Sequence, residues 1–264
     1  MTKQNLYDRI WLHKTNYTKI YPIYVAKMSI KYQSSILRGG FQLFRYSVGA
    51  LSGLAAGFLF NRLAAFQITK RTDDPVKKET VKKTWFLLVW ALISSGLFVA
   101  VVLKQPDLLR RIEYCVYISL ALNISVVDWL IRKIPNGLLL ALMLTKLIFT
   151  VYDIIGEGTL RVAWKPPVVG LAVGLGLFII PSFFGIMIGA GDVKFAGVIG
   201  FCLGFSGFIQ SMVIMAAALM VYLIYLIVTH KGNLKTPAAM GPFLSLGAIV
   251  TLLLPLKLFD FSFI

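Results

Sequence analysis

The sequence predicts an all-α fold, a polytopic transmembrane helix bundle of about eight transmembrane helices, and three observations predict it. Mean hydropathy is +0.79 and 58% of the 264 residues are hydrophobic, too apolar for a water-soluble domain of this length. Apolar runs long enough for a hydrocarbon core about 30 Å thick, which needs roughly 20 helical residues, recur from Val48 onward. Lys and Arg are gathered in the polar gaps between those runs and in the N-terminal stretch.

The formal charge of +16 therefore reads as membrane topology rather than as a nucleic-acid surface. Basic loops are retained in the cytoplasm and attract anionic lipid, so membrane lipid is an expected partner and nucleic acid is not. Cys115 and Cys202 each stand alone in an apolar run, without metal or redox spacing, and read as buried core residues. The first residues lack the short charged segment, apolar stretch and small-residue cleavage site of a removable signal peptide, so none is expected.

Residues 1–46 mix basic and aromatic side chains without a spanning run, which suits an interfacial or flexible segment. Residues 47–264 form the transmembrane domain. Its first five crossings are expected at residues 48–66, 85–103, 114–131, 137–155 and 167–187. The stretch 193–228 exceeds one span, and Gly204 with Gly207 offers a turn that splits it in two; one tilted helix there would reduce the total to seven. A final crossing covers 241–259. Gly49, Gly53 and Gly57 fall four apart on one face, as do Gly170 and Gly174, and such small-residue seams let membrane helices approach closely.

The charged gap at residues 67–84 reads as cytoplasmic. Alternation then places residues 132–136, 189–192 and 230–240 on the same face, and leaves the basic N-terminal tail outside, against the positive-inside rule. In either orientation, the gaps after Asp128 and before Asp192 share a face, because two crossings separate them.

An aspartate in a membrane helix costs about 2.5 to 3.5 kcal/mol on insertion scales, so each one requires a reason. Asp128 lies near the end of its apolar run and is followed by Ile134-Pro135-Asn136, where proline must interrupt regular helix. The second site reads Gly189-Ala190-Gly191-Asp192-Val193-Lys194. Its glycines permit a tight turn and leave room for an extended strand or water beside the carboxylate. Non-helical backbone at this depth must be surrounded by protein or line a wet cavity.

These two stretches resemble the paired signatures of the type IV prepilin peptidases. Ala239-Met240-Gly241-Pro242-Phe243-Leu244 is similar to that family's segment opening the last helix, and Gly57-Phe58-Leu59-x-Asn61-Arg62-Leu63 resembles its first helix. The resemblance covers most of the chain after about residue 48. It implies an intramembrane aspartyl endopeptidase that cleaves the short basic leader from prepilin-like (pseudopilin) substrate proteins, with Asp128 and Asp192 catalytic. Ile134, Pro135, Asn136, Gly189, Gly191, Lys194, Gly241 and Pro242 would shape the site or bind substrate. It further implies the cytoplasmic membrane of a prokaryote, an active site facing the cytoplasm, and service to pili, secretion or DNA uptake.

Two carboxyls held close share a proton, so one form can draw a proton from an attacking water while the other supports the oxyanion and the leaving amine. Either aspartate can take either role. Lys194 could steady a charged intermediate or simply anchor its helix end. Bacterial members often carry a loop with two Cys-x-x-Cys pairs, linked in the family to N-methylation; residues 67–84 contain no cysteine. Cleavage without methyltransferase activity, cofactor or structural zinc is therefore expected.

Rival readings use other residues. Presenilin-like and signal-peptide-peptidase-like enzymes also combine Tyr-Asp, here Tyr152-Asp153, with Gly-x-Gly-Asp. A straight helix, however, places Asp153 across the bilayer from Asp192, and no Pro-Ala-Leu precedes Pro242. Asp153 reads instead as an interfacial charge near Glu157. Lys146, inside an apolar run, should snorkel or pair internally. Asn123 and Gln210 read as hydrogen bonders between helices, and His230 as a solvated loop residue. A non-enzymatic transporter or ion-coupled carrier would also place aspartates in broken helices, but it should show related halves, and the sequence has no convincing internal repeat.

Overall fold

The computed structural model describes residues 40, 42–157, 160–184, 188–230 and 238–256. Most of the N-terminal stretch read as interfacial, residues 1–39 and 41, lies outside the described residues. The chain divides into two compact units, Met1–Val48 and Gly49–Ile264, and the second carries the features described below. The described elements are helices: α1 (Gln42–Arg71), α2 (Pro75–Lys82), α3 (Thr84–Lys104), α4 (Leu108–Ile131), α5 (Asn136–Glu157), α6 (Leu160–Phe183), α7 (Ala190–Val228) and α8 (Gly241–Leu253).

Five of these, α1, α3, α4, α5 and α7, are long and apolar enough to cross a membrane, while α6 and α8 contribute shorter apolar helices, Lys165–Pro181 and Gly241–Leu253. The chain is a helical membrane bundle. At 39 residues, α7 is roughly 58 Å long if straight, about twice the hydrocarbon core. Its backbone leaves the helical region at Gly204 (φ 71°, ψ −179°), so the helix breaks where the sequence offered a turn.

Element bounds differ from the sequence reading where caps decide them. The polar gap at 67–84 is largely helical: α1 continues to Arg71, and α2 forms because Asp74 accepts a hydrogen bond from the Val76 amide at 3.0 Å with Pro75 in the first turn. The fourth helix starts at Leu108 rather than residue 114, with Asp107 accepting from the Arg110 amide at 3.3 Å. The last helix stops at Leu253 rather than near 259, because Pro255 cannot extend the ladder and Gln210 binds the end. Gln210 Nε2 donates to the Leu254 carbonyl at 2.7 Å, and its Oε1 accepts from the Leu256 amide at 2.9 Å.

In lipid, apolar burial gives helices little reason to associate, so packing and hydrogen bonds carry the bundle. Helix α7 packs on α5, α6 and α8, and α4 packs on α3, α5 and α8. The expected glycine seams are contact lines. A methyl on Gly53 would lie 2.6 Å from the Ser95 Cα, one on Gly57 2.6 Å from the Ala91 Cα, and one on Gly170 would run into the Gly200 carbonyl. Asn123 Nδ2 donates to the Phe60 carbonyl at 2.9 Å, and Ser245 Oγ to the Ala121 carbonyl at 2.9 Å, tying α4 to α1 and α8.

Ile118, Ile124, Leu142, Phe195, Ile199 and Leu244 centre the core. A second cluster joins Ala64, Ile68 and Val81 to Val126, Val127 and Ile131, fixing the C-terminal end of α4 with α1 and α2. Cys202 is buried as expected, but Cys115 is only half-buried, and both thiols are free.

Candidate active site

Helix α4 ends three residues after Asp128, at Ile131; Arg132 then turns into the left-handed region (φ 52°, ψ 39°), and its amide still donates to the Asp128 carbonyl at 2.8 Å. The chain then runs through Ile134 and the fully buried Pro135 into α5, which Asn136 opens. This short connection meets the start of α7. A methyl on Gly191 would sit 3.3 Å from the Ile134 Cβ, so the two aspartate-bearing stretches pack directly against each other.

Gly189 caps α7, and its carbonyl accepts from the Asp192 amide at 2.9 Å. The Asp192 carboxylate folds back over that cap: a methyl on Gly189 would lie 2.9 Å from Asp192 Oδ2. Only a residue without a Cβ leaves that carboxylate its place.

The start of α8 closes the third side. The Gly241 amide donates to Asp128 Oδ2 at 2.8 Å, and a Cβ there would lie 2.7 Å from both the Cβ and Oδ2 of Asp128. Pro242 follows in the first turn of α8, and Phe243 packs its ring against Tyr222 at 5.3 Å between centroids. Asp128 is buried at 5% exposure and Asp192 is half-buried.

The ends of α4, α7 and α8 thus bring together Asp128, Ile134, Pro135, Gly189, Gly191, Asp192, Gly241 and Pro242. Asn136 and Lys194 are exposed at the margins. The arrangement offers two carboxyls beside a non-helical connection and a backbone amide already engaged with one of them.

Other singled-out residues lie elsewhere. Asp153 sits toward the opposite end of α5 from Asn136, where it pairs with Arg110 (2.6 Å). Lys146 pairs internally, with Glu113 at 3.1 Å, and Glu113 also takes Arg110 at 2.7 Å. The sequence reading did not single out Arg110 and Glu113. The available signal was a Glu three residues after an Arg at the head of an apolar run, a spacing that puts both on one helix face. His230 is exposed, as expected.

Residues 115–227 match the model of the type IV leader peptidase family, and over that stretch the resemblance to the prepilin peptidases is borne out. The match contains both aspartate motifs and ends before Gly241-Pro242. No curated protein and no solved structure gives a match.

Proposed function

With its central helices matching the type IV leader peptidase family, we propose that this membrane protein is an intramembrane aspartic endopeptidase using Asp128 and Asp192 as a proton-sharing pair. The observation that carries the reading is the meeting of three helix ends at Asp128, with Ile134 against Gly191 and the Gly241 amide on Oδ2.

That hydrogen bond holds one oxygen of Asp128 and leaves the other to orient a water. Asp192, half-buried on a stretch that packs against the one following Asp128, is the partner that exchanges the proton. One carboxylate takes a proton from water as it attacks the scissile carbonyl, and the protonated partner delivers a proton to the departing amine. The glycines at 189 and 191 admit an extended peptide beside the pair. Exposed Lys194 stands at the margin, where it can meet a charged intermediate or lipid phosphate.

The substrate class is a prepilin-like protein whose short basic leader stays at the cytoplasmic face while its apolar helix docks laterally from the bilayer. The enzyme resides in the cytoplasmic membrane of a prokaryote and releases the leader without N-methylation. The test is cleavage of a prepilin-like substrate by the purified chain in lipid. Both Asp128→Asn and Asp192→Asn must lose activity while keeping the elution profile of the parent. Retained cleavage in either folded variant overturns the reading.

A further inference from the structure

A cavity of about 320 Å³ lies between α4, α5, α7 and α8, in the half of the bundle away from the aspartates. Arg110 on its wall precedes Asp128 by roughly 27 Å of helix, so the cavity belongs to the other membrane border. At about 30 Å³ per molecule, the space holds on the order of ten waters.

Its charged residues are already matched. Glu113 joins Arg110 and Lys146, and Arg110 also holds Asp153, so two cations and two carboxylates neutralise one another. What is left over is uncharged. Tyr117 and Thr251 line the cavity, are 5% and 4% exposed, and their hydroxyls have no hydrogen-bond partner among the described residues. Each hydroxyl both donates and accepts, and leaving one unpaired inside a membrane protein is costly. Exposed Leu256 with the one-third-exposed Arg110 side chain marks the rim.

We propose that this cavity is a second site, a water-filled vestibule open at the border opposite Asp128, which takes small uncharged hydrogen-bonding molecules: water and hydroxylated solutes. Its occupants lie beside the neutral ion network, next to Tyr117 and Thr251. The vestibule carries solvent into the bundle from the second side and stands independently of the peptidase reading.

Cys202 lines the same cavity and reports on it. Thiosulfonates attack only the thiolate, which forms where water reaches the sulfur. The full-length chain in lipid nanodiscs is treated with hydroxyethyl methanethiosulfonate: the Cys202 thiolate forms a mixed disulfide and methanesulfinate leaves. Peptide masses then separate modification at Cys202 from that at Cys115. Native Cys202 should be modified, and filling the cavity by Thr251→Phe, or independently by Thr145→Phe, should slow it at least about tenfold. Folding of each variant is judged by elution and by unchanged labelling at Cys115. The proposal is overturned if Cys202 reacts only after denaturation, or reacts equally fast in a folded filled variant.

Discussion

Asp128 Oδ2 accepts a 2.8 Å hydrogen bond from the amide of Gly241, across 113 positions of sequence. The bond sets the start of α8 on the carboxylate and leaves no volume for a side chain at 241. Gly241→Ala should therefore displace Asp128 or α8. The expected result is at least about a tenfold loss of substrate cleavage, since displacing a positioned catalytic group costs that much or more. Pro242→Ala leaves the bonded amide in place, and its activity, measured alongside, should fall less.

Asp128→Asn and Asp192→Asn should each lower cleavage by about a hundredfold or more, the scale of general acid–base assistance. Asp153→Asn should retain cleavage, because Asp153 pairs with Arg110 at the far end of the bundle. Loss of activity in all three, with folding intact, would contradict the assignment of the pair.

Glu113 is the hinge of the buried charge network, accepting from both Arg110 and Lys146. Glu113→Gln strands the lysine ammonium, and removing one partner of a close ion pair destabilises the fold. Thermal unfolding in detergent should show the loss. Adding Lys146→Met removes the stranded charge, so the double variant should recover part of the stability.

Two glycines of α6 separate packing from propensity. Gly170→Ala places a methyl against the Gly200 backbone and should lower the unfolding temperature markedly. Gly176→Ala meets nothing within 4 Å and should be neutral, or stabilising by up to about 1 kcal/mol through helix propensity. Equal effects in the two variants would refute the close α6–α7 crossing.

The helical class, the glycine seams, the break near Gly204 and both aspartate motifs were legible because each is a local pattern. Hydropathy over a span, a four-residue glycine spacing and a carboxylate beside Pro or Gly all lie within one segment. The Arg110–Glu113–Lys146–Asp153 network was not legible, because Glu113 meets Lys146 across 33 positions and Arg110 meets Asp153 across 43. Only the packing of α4 on α5 makes these partners. Helix α2 was read as a charged gap because its composition is polar; its cap at Asp74 and the burial of Val81 against the α4 end decide otherwise. That Gly241 would bond Asp128 also depended on how α8 docks, which no periodicity encodes.

The interruption at Gly204 gives α7 two mechanical lives. Residues 195–202, downstream of Asp192, are enclosed by neighbouring helices, whereas Val213, Met220, Val221 and Val228 beyond the break face outward. An unbroken rod would transmit every tilt imposed by a thicker or thinner bilayer to the carboxylate at its end. The break separates the lipid-facing segment from the enclosed residues behind Asp192, so a tilt of the one need not be carried in full to the other.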